Sequence, residues 1–345
     1  MPWYRPSAPR ALKFWIYPTE RHSQRSTLSP NPLPPRFHML FLFRCSLLLV
    51  LLITALPAQA QTSQGRFFLM GSGTMRLKNL RNNREATVHL LKADGSLNEA
   101  DFNTVDWVFD FPTKEKGEHI SPRMLFMLNY FAEQLAPGKT INIESAYRSE
   151  EYNDKIRAAG NNAARTSAHI DGMALDFWLE GVEGKRLWQT IKEKNCGGIG
   201  HYGGKTVHFD AGRPRFWEAA TSGTRSPEPD NNRHLYLSTD LDRYAPHEPV
   251  RLALSNLSSF EFGVQPTVAV YRAGDQRQPI TTLPLQQSGN GACLNIGERK
   301  ASRFLTTTLP AELPPGRYQL KLAFCDKPFP QMPDEALSNP IEIRR

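Results

Sequence analysis

Two short stretches hold the side chains best suited to chemistry, SAHIDGMALDFW at 167–178 and TVHFD at 206–210. Gly172 should break any helix through the first, which then reads as a loop carrying His169, a turn, and a strand MALDFWL. Period-two alternation sets Ala174, Asp176 and Trp178 on one face of that strand, and Leu175, Phe177 and Leu179 on the other. In TVHFD the same alternation sets His208 and Asp210 opposite Val207 and Phe209. Two strands with apolar backs and polar fronts can bring His169, Asp176 and His208 together. Two imidazoles and one carboxylate leave a fourth tetrahedral position for water, which is how catalytic zinc sites are built. Taken singly, a histidine near an aspartate is more often a satisfied structural pair, so the set of three carries the inference. Ser167, Asp171 and Gly172 read as residues that shape the turn.

The elements that must position these residues are legible in outline. SPRMLFMLNYFAEQLAPG predicts a helix with Ser121 as N-cap and Pro122 at its first position. Leu125, Leu128, Ala132 and Leu135 would share its buried face, and Pro137-Gly138 would stop it. TINIESAYRS reads as a strand entering a loop, and SEEYNDKIRAAG and GKRLWQTIKEKN as amphipathic helices. VDWVFDF alternates as a strand does, and GGIGHYGGKTVHFDAG reads as a Gly-rich loop entering a short strand. The mixture predicts an α+β domain over 61–220 with a small antiparallel sheet. TSGTRSPEPDNNR, 221–233, has the composition of a linker. Beyond it HLYLSTD, VRLALSNLS, TVAVYRAG, RFLTTTLP and GRYQLKLAFC alternate between Pro and Gly punctuation, as in an all-β, Ig-like sandwich over 234–345.

The formal charge of +8 invites a nucleic-acid partner, but its location excludes one. Residues 1–60 carry seven Lys/Arg against Glu20 alone, leaving 35 basic and 33 acidic residues in 61–345. No basic stripe remains for phosphates. Within that leader, Arg44 flanks the apolar CSLLLVLLITALP, followed by the small-residue step AQA at 58–60. This is the form of a secretory signal cleaved after Ala60, with translation starting at Met39. The apolar run is short for a spanning helix, so the membrane enters only through an uncleaved anchor. The expected location is the periplasm or cell envelope. Oxidising conditions there permit one disulfide among Cys196, Cys293 and Cys325. Cys293 and Cys325 share the C-terminal region and are the expected pair, with Cys196 a small packed residue.

SAHIDGMALD fits the pattern Ser-x-His-x-x-Gly-x-Ala-x-Asp and resembles the M15 family of zinc peptidases, which act on bacterial cell-wall peptides. SAYRSEEYN is similar to that family's Tyr-Arg-Ser segment, and GGIGHYGGKTVHFDAGRPRFW to the closing segment of its DUF882, murein endopeptidase K-like branch. The resemblance covers about 66–217. It implies an M15/hedgehog-like fold, zinc as cofactor, peptidoglycan peptides as substrate, and His169, Asp176 and His208 as metal ligands. It further implies that Arg148 holds the substrate carbonyl or its developing oxyanion. Many members place an acidic general base three residues before the second histidine ligand. Lys205 stands there in this chain, leaving Asp210 and His201 as candidate bases. Asp210 is equally placed to orient a ligand. Two functions remain open: an exported peptidase cutting stem peptides or cross-links, or a non-catalytic wall-binding or scaffolding protein that keeps the zinc site.

Overall fold

Side-chain alternation builds the frame that carries the two stretches. The structure is a computed structural model that describes residues 65–160, 163–221, 229–286 and 291–344. The expected leader at 1–60 lies outside the described residues, as do 222–228 of the expected linker. β1 (Thr74–Asn79) buries Met75 and Leu77 and pairs antiparallel with β2 (Glu85–His89).

VDWVFDF is not a strand. It lies mainly in α1 (Glu99–Phe109), whose buried Phe102, Val105, Val108 and Phe109 follow a helical period. A strand would have put Trp107 beside Val105 and Phe109, yet Trp107 is 52% exposed. The short α2 (Thr113–Lys116) follows, then α3 (Pro122–Leu135). Ser121 caps α3 as expected, its hydroxyl accepting from the Met124 N–H.

Next come β3 (Thr140–Ser145), α4 (Glu150–Ala158), β4 (Ala174–Leu179) and α5 (Gly184–Lys194). β5 (Gly198–His201), β6 (Val207–Asp210) and β7 (Arg215–Glu218) complete a seven-stranded sheet, in the order β2-β1-β3-β4-β6-β5-β7. The expected small antiparallel sheet is therefore a larger, mixed one. β1 joins β3 in parallel, and GIGH is itself a strand that pairs with β6 and, in parallel, with β7. Leu175, Phe177 and Leu179, with Val207 and Phe209, are buried on the back of the sheet. Phe131 of α3 meets Phe209 edge-on there, with ring centroids 5.9 Å apart. The apolar face of α5 packs on the same side through Leu187, Trp188 and Ile191. The front is left to the polar residues.

The C-terminal region is β-rich and has its own apolar core. A three-stranded sheet has β10 (Pro249–Ser255) between β8 (Tyr236–Thr239) and β14 (Leu305–Thr308). A larger sheet runs β12-β11-β15-β17-β9, comprising Thr281–Pro284, Phe262–Arg272, Gly316–Asp326, Ile341–Ile343 and Arg243–Tyr244. β13 (Leu294–Ile296) pairs with β11, and β16 (Glu335–Leu337) with β15. In β15 Tyr318, Leu320, Leu322 and Phe324 face the core in strict alternation. The Cys293–Cys325 disulfide forms as expected, with Cα atoms 5.8 Å apart.

Ion pairs tie this region to the part of the chain that carries the seven-stranded sheet. Arg123 of α3 is buried against Asp242 and donates to the Thr239 carbonyl at 2.7 Å. Glu118 meets both Arg251 at 2.6 Å and Arg303 at 2.7 Å. Burial works to raise the Glu118 pKa, but the Arg303 and Arg251 guanidiniums prevail and hold it low. Among the described residues no helix is long and apolar enough to cross a membrane.

Candidate metal centre

Asp176 and His208 are direct neighbours across β4 and β6, paired in register. Sheet hydrogen bonds thus fix both backbones before any metal arrives. His169 comes from the loop before β4, whose turn closes through Gly172 at φ +62. A Cβ at Gly172 would meet the Phe111 ring at 2.4 Å, so both conformation and space demand glycine. Three atoms converge. His169 Nε2 lies 3.3 Å from His208 Nδ1 and 3.4 Å from Asp176 Oδ1, and His208 Nδ1 lies 3.1 Å from Asp176 Oδ1. Ligands at about 2.0–2.1 Å from a tetrahedral centre stand about 3.3–3.4 Å apart, so the triangle fits a zinc-sized ion. All three residues are buried, and they form a cluster that can hold a metal ion.

The far side of each ring is also occupied. His169 Nδ1 lies 2.6 Å from the Ala146 carbonyl, which can only accept, so the proton sits there and the Nε2 lone pair faces the cluster. His208 Nε2 donates to Asp210 Oδ2 at 2.8 Å, turning Nδ1 toward the cluster. Burial lowers the His169 pKa against the opposing pull of Asp176, which keeps the ring neutral. Burial opposes ionisation of Asp176, yet the adjacent His169 and His208 hold its carboxyl well below the usual carboxylate range. At His208 burial is outweighed by hydrogen bonds to Asp176 and Asp210, and the pKa rises.

Asp210 is fully buried and heavily engaged. Besides His208, it accepts from Arg215 at 2.7 and 3.0 Å and from the Gly212 N–H at 2.9 Å. Burial would raise its pKa, but Arg215 drives it far down. Its oxygens lie across the His208 ring from the ligand nitrogen. That is the position of a group that orients the ring, and it corrects the expectation of Asp210 as base for a water at the cluster.

His201 is corrected more simply. In β5 it pairs with Val207, so it shares the apolar back of the sheet, near Trp188, while His208 points forward. The expectation failed because GGIGH was taken for a loop, in which alternation has no meaning.

The same strand explains the glycines. A Cβ on Gly198 would lie 2.2 Å from Asp210 Oδ2 and 2.4 Å from Arg215, and one on Gly200 would lie 2.3 Å from the Trp217 ring. That ring tilts over His208 at 5.0 Å between centroids. Glycine makes room for the orienting pair and for the indole.

Arg148 reaches the cluster from the loop before α4. It donates to Asp176 Oδ2 at 2.6 Å and to the Ser145 hydroxyl at 2.9 Å. Lys205 lies over the Trp178 ring at 3.6 Å, on the exposed rim. Cys196 is a half-buried free thiol packed against the core, its pKa pushed up to about 12 by burial, and it is not part of the cluster.

Two site residues escaped the sequence reading. Tyr202 is 40% exposed, but its hydroxyl turns inward to donate to Asp176 Oδ1 at 2.9 Å. Burial, then the Asp176 charge, push its phenol well up, so it stays a donor. Arg215, in RFWE, neutralises Asp210. The only signal for either was proximity to the histidine-bearing stretch. The cluster opens on a cleft of about 80 Å³ lined by Arg148, Ser167, Tyr202, Arg215 and Trp217 among others, with no carboxylate among the described residues of its lining. A larger cavity of about 740 Å³ lies at the junction with the C-terminal region and contains none of the three ligands.

His169, Asp176 and His208 thus form a cluster that could hold a metal ion, facing a small cleft on a mixed sheet. Residues 70–217 match the family described as Peptidoglycan L,D-endopeptidase MepK (Peptidase_M15_2), which supports the MepK-like branch of the M15 family. Among curated relatives, Peptidoglycan L,D-endopeptidase MepK of Escherichia coli (strain K12) is 31% identical over 103 residues, 30% of this chain and 57% of the relative. Probable peptidoglycan L,D-endopeptidase MepK of Haemophilus influenzae is 32% identical over 79 residues, 23% of this chain and 42% of the relative. The chain thus spans little more than half the length of the curated relatives it matches. Of solved structures, the ZirS C-terminal Domain aligns at 14% identity and a TM-score of 0.21, covering 36% of this chain and 75% of that one.

Proposed function

We propose that the protein is an exported zinc peptidase that hydrolyses amide bonds in peptidoglycan stem peptides or cross-links. The observation that carries this reading is the triangle of His169 Nε2, Asp176 Oδ1 and His208 Nδ1, with sides of 3.1–3.4 Å, in a stretch that matches the M15 family. These atoms would hold zinc, which when bound supplies a Lewis acid and a water acidified toward a pKa of about 7. The Ala146 carbonyl and Asp210 keep each imidazole in the coordinating tautomer. Arg148 donates to Asp176 and borders the cleft, where a guanidinium would bind the scissile carbonyl oxygen as charge grows on it. Tyr202 adds a second donor beside Asp176. The substrate class comes from the relatives' names. Export, a mature start at Gln61, and a periplasmic or envelope location come from the leader. The division into a peptidase domain to about 220, a linker, and an Ig-like sandwich from 234 belongs to the same proposal.

A non-catalytic wall-binding protein is the second reading. It is favoured by the cleft's lack of a carboxylate and by Lys205 at the family's acidic position. Incubating the protein with purified muropeptides, with and without a chelator, separates the two. Chelator-sensitive release of fragments, restored by zinc and identified by mass, supports the peptidase. Bound zinc without cleavage supports the second reading, and absence of zinc binding removes both.

A further inference from the structure

The loop bearing His169 is held from outside its own domain. Asp171, two residues after His169, has a side chain only 1% exposed, and both its oxygens are bonded to the C-terminal region. Arg299 Nη1 meets Oδ1 at 2.7 Å, and the Asn256 backbone N–H donates to Oδ2 at 2.8 Å. Asn256 also donates from its side chain to the Thr166 carbonyl at 2.7 Å. Residues 166 and 171 are therefore both pinned, with His169 between them. The other edge of the Arg299 guanidinium meets Glu150 at 2.7 Å, two residues beyond Arg148. Its remaining nitrogen donates to the Leu257 carbonyl at 3.0 Å. One side chain thus bridges the loop that carries His169 and the start of α4, two residues after Arg148, whose N–H already donates to the His169 carbonyl at 3.2 Å.

Asp176 and His208 need no such brace, because strand pairing sets them. A loop ligand does, since a donor misplaced by a few tenths of an ångström no longer meets the metal. We propose that Arg299 and Asn256 are positioning residues of the metal site, so that the C-terminal β-rich region completes the centre and is not merely an appended binding module. This rests on the zinc reading above. Without Arg299 the buried Asp171 carboxylate keeps a single backbone donor and must seek water. The His169 loop would move with it.

The test measures zinc affinity of the full-length chain by competition with a chelating dye, alongside deuterium exchange of residues 163–173. Arg299→Met should weaken zinc binding at least about tenfold and speed exchange in that loop. Arg299→Lys should recover part of the affinity, because an ammonium can still meet Asp171. Asn256→Gly suits the residue's φ of +59, keeps the backbone N–H, and loses only the Thr166 bond. It should weaken zinc severalfold even if Arg299→Met does not fold. Arg66→Met removes a different junction pair, with Glu248, and should leave zinc affinity as in the wild type. Unchanged affinity in both Arg299→Met and Asn256→Gly overturns the proposal, as does an equal loss in Arg66→Met, which would mean general loosening. Failure of the wild type to bind zinc would instead overturn the function on which it rests.

Discussion

The two halves of the candidate centre are built differently. Asp176 and His208 stand on adjacent strands, where ladder hydrogen bonds and an apolar back of Phe177, Val207 and Phe209 set their spacing. His169 stands on a loop whose ends are held by side chains from the C-terminal region. The sheet half is local and redundant, since each strand position is fixed by its neighbours. The loop half rests on a few long-range contacts, among them an ion pair between residues 128 apart in sequence. On the proposed function, a rigid pair and a braced third ligand would combine precise geometry with an opening for substrate.

The largest effect should come from the ligands themselves. His169→Ala, Asp176→Ala and His208→Ala should each abolish stoichiometric zinc by elemental analysis and leave muropeptide hydrolysis at background. Asp176→Ala should also be the least stable of the three. It strands the half-buried Arg148, and breaking such a pair costs about 3–5 kcal/mol. Full zinc in any of the three would remove that residue from the set.

How much of this was legible follows the same division. Strand alternation set Asp176 and His208 on polar faces because β4 and β6 carry bulky apolar residues at every second position, and His169 was legible only as a loop residue ahead of β4. β5 was missed because Gly198 and Gly200 carry no side chain to alternate, and with it went the facing of His201. α1 was misread because Val105 and Phe109 satisfy both a two-residue and a helical period, and only the exposure of Trp107 separates them. The brace through Asp171 was read as a turn residue, since nothing local to it points to Arg299.

A second prediction sharpens the sheet half. Gly198→Ala would drive a methyl group into Asp210 and Arg215 without touching a ligand. It should lower zinc affinity about 10–100-fold, as Asp210→Asn should, which is the usual cost of losing a ligand's orienting partner. Wild-type affinity in Gly198→Ala would show that the strand yields. Smaller again is Tyr202→Phe, which removes one donor to Asp176. Zinc should be retained and turnover should fall about tenfold, in line with one hydrogen bond to a charged group. An unchanged rate would limit Tyr202 to packing.

The smallest expected effect concerns the junction behind the loop half. Glu118 has a lowered folded pKa, so its pairing with Arg303 and Arg251 stabilises the fold above the unfolded carboxyl value of about 4.3. That contribution is lost as pH falls through the lower folded value. Urea midpoints for the wild type should therefore drop more between pH 6 and pH 3 than those of Glu118→Gln. Equal drops would mean that the pair carries no acid sensitivity of its own.

Asp176 and His208 are 32 residues apart in the chain, and so are Cys293 and Cys325. A bound metal would therefore staple the first domain with the same span as the disulfide staples the C-terminal region. On a chain-entropy view, closing about thirty residues is worth roughly 3–4 kcal/mol at either place. One staple is set by an oxidant and released by a thiol; the other is set by metal supply and released by a chelator. With a metal bound, the folded chain would answer to two chemical licences, one redox and one set by metal supply.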